Sequence, residues 1–126
     1  MTITEPKPYG MIKSQLSKND RIGLVSCNAC VKFCETGGEE KMREMSERLK
    51  KDGFNVVDED LIGVACDLDQ VKKETFDGDV IIVFACDAGV ENVKKLAGGK
   101  KVIAALDTVG IGTRDKEGNI SLVRKF

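Results

Sequence analysis

Five cysteines and no histidine define the chemistry open to this chain. Cys27, Cys30 and Cys34 follow the pattern C-x2-C-x3-C, while Cys66 and Cys86 stand apart. The missing imidazole removes mixed Cys/His zinc sites, Ser–His–Asp and Cys–His nucleophiles, and any histidine acid–base step. A thiolate-only metal site survives that filter. Soft tetrathiolate sites suit zinc or an iron–sulfur cluster. Structural zinc usually takes paired C-x2–4-C knuckles. Three thiols in a tight loop with a remote fourth are instead a habit of [4Fe–4S] sites. Five thiols exceed the four that one cubane needs, so one is a spare. The metal set is therefore Cys27, Cys30, Cys34, Cys66 and Cys86, with Cys30, Cys34 and Cys86 the first choices as ligands.

Two blander readings compete. Free cysteines are often simply small buried hydrophobes. That suits Cys66 or Cys86 taken singly, but not three thiols in a loop that also holds Asn28, Lys32 and Glu35. A Cys27–Cys30 thiol–disulfide pair would leave the other three unexplained.

The elements that must gather these thiols are legible as a βα alternation. Ile22–Cys27 and Asp79–Cys86 are nearly continuous apolar runs, as buried parallel strands are. Phe54–Val57 begins another strand, and Leu61–Ala65 leads into Cys66. Lys101–Leu106 is a fourth strand, and Asn119–Val123 an edge strand after a Lys116–Gly118 turn. Thr36 and Glu39 fit a capping box that starts a helix near Gly37. Met42, Met45 and Leu49 mark its inner face. Glu44–Arg48 and Glu47–Lys51 are expected ion pairs on the wet side, and Gly53 is its stop. A short helix is expected over Asp67–Lys73. Asp87 caps a further helix with Val90, Val93 and Leu96 inward, ended by Gly98 and Gly99.

This pattern predicts an α/β fold. It is a Rossmann-like or flavodoxin-like, four- or five-stranded, mostly parallel sheet with helices on both faces and central order 2-1-3-4. Residues 1–20, with Pro6 and Pro8, read as an extended arm and a short helix around Tyr9–Leu16. Residues 21–126 form a single cysteine-rich metal-binding domain. In such a sheet ligands bind at the carboxyl ends of the strands, where order reverses. The five thiols converge there only if the fold is right. Asn28, Gly37, Gly38, Asp87 and Gly89 are the expected cofactor contacts. The glycines leave room for backbone approach, and the helix after Cys86 aims its amino end at the site.

Other signals are weak. Gly110–Thr113 lacks P-loop spacing and reads as a polar turn. Asp107 reads as a cap, and the Lys100/Lys101 and Arg124/Lys125 pairs as solvated faces. With 20 basic and 21 acidic residues the net charge is −1. That opposes nucleic-acid or membrane-surface binding, which needs a basic excess. The opening residues lack an apolar signal-peptide core, so a cytoplasmic location is expected.

Glu5–Pro8 (EPKP), Ile22–Glu39 (IGLVSCNACVKFCETGGE), Val64–Cys66 (VAC) and Phe84–Val90 (FACDAGV) together resemble a known family. It is the methylenetetrahydrofolate reductase C-terminal-domain-like family, the amino-terminal domain of the iron–sulfur small subunit of acetogen-type methylenetetrahydrofolate reductases. The resemblance implies a non-catalytic redox subunit that holds a cluster. It would dock to a flavin-containing, folate-binding subunit or another redox protein in one-carbon metabolism. A zinc-bound scaffold module of such a complex is the alternative. A free-standing thiol or methyl-transfer enzyme ranks last, because no substrate-binding motif is recognisable.

Overall fold

A computed structural model describes all 126 residues. Its centre is a parallel sheet of β2 (Arg21–Cys27), β3 (Asn55–Ile62), β4 (Val80–Phe84) and β5 (Lys101–Ala104), in the order β3-β2-β4-β5. Counting only these strands, that is the expected 2-1-3-4 order. All of β4 is buried, as is β2 beyond Arg21. Each fully buried Val, Leu or Ile adds roughly 1.5–3 kcal/mol of transfer free energy. Such runs favour a strand covered on both faces.

Helix α3 (Gly38–Lys51) packs on β2 and β3, and α5 (Asp87–Leu96) on β4 and β5. The winding direction reverses between β2 and β4. Right-handed crossovers therefore place α3 and α5 on opposite faces. Short helices α1 (Tyr9–Lys13), α2 (Cys30–Phe33) and α4 (Leu68–Val71) fill the connections.

The remaining strands depart from expectation. β1 (Thr2–Pro6), β6 (Leu106–Arg114) and β7 (Ile120–Lys125) form a separate antiparallel sheet in the order β1-β6-β7. The amino-terminal arm is thus a paired strand. Gly110–Thr113 is no turn but the middle of β6. There, a Cβ on Gly110 would lie 2.3 Å from the Arg124 carbonyl oxygen, so only glycine lets β7 come so close. The alternate positions Val109, Ile111 and Thr113 are the strand signal that the two glycines obscure.

Smaller corrections concern helix caps and side-chain pairing. The capping box does not form: Gly37 is the N-cap and no side chain caps α3. Thr36 turns its hydroxyl to the Val31 carbonyl instead, at 3.2 Å. Glu44 pairs with Lys41 and Glu39 with Arg43, while Arg48 lies over the Tyr9 ring. Likewise Cys86, not Asp87, is the N-cap of α5. Leu96 is exposed, and Ala97 takes the inward position.

β3 is an edge strand, and its Asp58 and Asp60 point to one face. Partial burial pushes the Asp60 carboxyl up to about 7, helped by a hydrogen bond and charge from Asp58 and then by Glu74 and Asp77. Its folded pKa lies above its unfolded value. The native state therefore binds the extra proton, and stability falls as pH rises from the ordinary carboxylate range through about 7. Asp60→Asn is expected to flatten this slope. Melting temperature against pH for both proteins checks it. Parallel curves through neutral pH would refute the assignment.

Candidate metal centre

Strand register brings the thiols together. Ser26 lies level with Phe84, and Cys27 with Ile62. Cys86 and Cys66 follow shortly after Phe84 and Ile62, so three of the cysteines leave adjacent strands at one rim. Cys30 opens α2, directly above the end of β2.

Local contacts then draw the Cys66 loop inward. The Asn28 N–H donates to the Ile62 carbonyl at 2.8 Å. The Ala65 N–H donates to Cys27 Sγ at 3.4 Å. Asn92 of α5 donates its side-chain amide to the Ala65 carbonyl at 3.0 Å. Gly89 makes this docking possible. A Cβ there would stand 2.7 Å from Ala85 Cβ and 3.0 Å from Ala65 Cβ. The loop carrying Cys66 is thus seated between the ends of β2 and the first turn of α5.

The electrostatics report the same gathering. Burial pushes the Cys66 thiol up, and nearby Cys86, Cys27 and Cys30 push it further. All five thiols are free: Cys27 is buried, Cys66 is exposed, and Cys30, Cys34 and Cys86 lie between. Cys34 faces elsewhere. Its Sγ points at the Thr2 carbonyl of β1, 3.7 Å away. The neighbourhood of Cys66 is therefore Cys27, Cys30 and Cys86, and Cys34 is the thiol turned toward the second sheet.

These four sulfurs share a rim without being closed into a ligand set. No three cysteine or acidic side chains are arranged to hold a metal ion. Exchange between staggered χ1 wells swings each sulfur while leaving its Cα in place. The donor chemistry, four thiols and no imidazole, suits an iron–sulfur cluster or tetrathiolate zinc.

The other expected contacts fall in two places. Asn28, Gly37 and Gly38 line a groove of about 570 Å³ with Lys32, Lys41 and Leu61, and no cysteine borders it. The space over Gly37 is taken by Val31, whose Cγ2 would be 2.6 Å from an added Cβ. Asp87 and Gly89 lie in the first turn of α5, beside Cys86. The Asp87 N–H is already engaged by Thr108 Oγ1 at 2.9 Å.

Sequence reading missed the hydroxyls that build this rim. Ser26 is fully buried between two thiol-bearing segments. Its Oγ accepts the Gly38 N–H at 2.8 Å and donates to the Cys27 carbonyl at 2.9 Å. It thereby replaces the side-chain cap that α3 lacks. A serine inside an otherwise apolar strand was the available signal.

Fold and rim together define a class: an α/β protein with clustered free thiols at the carboxyl ends of its parallel strands. No family model, curated protein or solved structure matches the chain. No helix is long and apolar enough to cross a membrane.

Ser26→Ala strands the Gly38 N–H in a buried site, which costs about 1–3 kcal/mol. Urea denaturation is expected to show a lower midpoint with an unchanged slope. A midpoint equal to that of the unmodified chain would refute this role for Ser26.

Proposed function

We propose that this chain is an iron–sulfur electron-transfer subunit, holding one [4Fe–4S] cluster on Cys27, Cys30, Cys66 and Cys86. One observation carries the reading: strand register puts Cys27, Cys66 and Cys86 after adjacent strand ends, with Cys30 at a helix start beside them, in a chain without histidine. A cluster bound there would pass electrons without proton chemistry from the protein. The chain's own part is positional. The Ala65 N–H polarises Cys27 Sγ, the Asn92 amide fixes the Cys66 loop, and Gly89 lets that loop seat against α5.

The partner in this reading is a flavin-containing subunit of the methylenetetrahydrofolate-reductase type, and the location is the cytoplasm. The motifs around the thiols support both, by their resemblance to the small subunit of such reductases. The parallel sheet, with its order reversal at β2/β4, supports a Rossmann-like or flavodoxin-like assignment.

Anaerobic purification and reconstitution test the proposal through iron and sulfide content and electron paramagnetic resonance of the reduced protein. The expected result is about four irons and four sulfides per chain, as one cubane requires. Serine substitutions at Cys27, Cys30, Cys66 or Cys86 are each expected to lower cluster content sharply, whereas Cys34→Ser keeps it. A colourless chain without iron or sulfide rejects the proposal. Stoichiometric zinc without visible absorption would assign a structural metal instead. Cluster loss in Cys34→Ser, with retention in Cys66→Ser, would move the ligand set.

A further inference from the structure

The antiparallel sheet touches the thiol rim through two hydroxyls. Thr4 of β1 and Thr108 of β6 are cross-strand partners. Directly opposed residues project from the same face of a sheet. Thr4 is only 3% exposed, and its Oγ1 lies 2.6 Å from Thr36 Oγ1. Thr36 spends its single hydroxyl proton on the Val31 carbonyl, 3.2 Å away. The Thr4 hydroxyl is therefore the donor to Thr36. Val31 directly follows Cys30, and the Thr36 and Gly37 N–H groups also converge on its carbonyl, each at 3.0 Å. One threonine thus grips the loop that carries Cys30.

Its partner grips the other side. Thr108 Oγ1 accepts the Asp87 N–H at 2.9 Å, and Asp87 directly follows Cys86. This is an amide that a thiolate sulfur at the rim could otherwise have drawn on. A third tie, from Cys34 Sγ to the Thr2 carbonyl, binds the same loop to the same strand. Two segments that are far apart in the chain are referenced to one pair of neighbouring residues.

We propose that Thr4 and Thr108 are positioning residues for the thiol centre: as a cross-strand pair they fix the separation between the Cys30 segment and Cys86. The proposal rests on the metal-centre reading for its purpose but on hydrogen-bond geometry for its substance. Metal sites generally need such outer supports to hold their ligands in place. Here the supports come from a different sheet than the ligands. Ordering of that sheet and occupation of the centre must therefore favour one another, by reciprocity of coupled equilibria.

The test uses the full chain with Thr4→Val, Thr108→Val and Thr108→Ser. In the metal-free protein, iodoacetamide labelling is mapped by mass spectrometry, with Cys66 as the reference thiol in the same molecule. Thr108→Val is expected to raise labelling of Cys86 relative to Cys66, and Thr4→Val that of Cys30. Thr108→Ser, which keeps the acceptor oxygen, should restore the native ratio. Cobalt(II) titration, read by its thiolate charge-transfer band, should show affinity reduced about 10–100-fold in both valine variants. Folding is checked by circular dichroism. Should one valine variant fail to fold, the other and Thr108→Ser still decide the matter. Native labelling ratios in folded valine variants overturn the proposal. A native chain with no cobalt–thiolate band, whose ratios still shift in the valine variants, overturns the metal-centre reading and upholds the positioning role.

Discussion

Parallel pairing of β2 between β3 and β4 is the constraint on which the rest depends. It places Cys27 level with Ile62 and Ser26 level with Phe84. A slip of one residue would turn each side chain of the moved strand to the opposite face. Cys66 and Cys86 then would not leave the sheet beside Cys27. The register is itself held by burial. Leu24 and Val25 are each 1% exposed, and Ile82 not at all. Hydrophobic pairing in the interior thus determines thiol spacing at the rim, although Cys27 is the one cysteine that belongs to the core.

That dependence explains what could be read from the chain. The apolar runs of β2 and β4 and the helical spacing of Met42 and Leu49 announce themselves, because burial imposes their pattern. Strand order followed from the alternation and the handedness rule. The antiparallel sheet escaped for a physical reason. Gly110 and Gly112 lie where Leu122 and Ile3 cross β6, so the residues that identify turns here mark close approach. The capping box failed on position: Gly37, not Thr36, is the N-cap, and the Thr36 hydroxyl is turned to the Val31 carbonyl.

The rim shows the same division. Its thiols were legible as residue types, and the parallel fold predicted their convergence at the strand ends, with Cys30, Cys34 and Cys86 as first choices. The folded chain instead turns Cys34 to the Thr2 carbonyl and seats the loop of Cys66 against α5. Helix pitch separates neighbours in sequence, while parallel strands unite residues that are distant in sequence. Among the small polar groups that complete the arrangement, Ser26 is signalled by its place in an apolar strand, but Thr4 and Thr108 have no sequence signature. Each is recognisable only by what stands opposite it.

Ala105 alone separates β5 of one sheet from β6 of the other. Its N–H donates to the Val83 carbonyl at 2.9 Å, and its carbonyl accepts the Lys7 N–H at 3.0 Å. This one residue is stitched to both layers, leaving no slack between them. A flexible tether would let the cap swing aside or be exchanged as a module. Here the cap is welded on, so lifting it must also peel the last strand from the parallel sheet. Parting the two sheets by that route amounts to partial unfolding rather than the opening of a door.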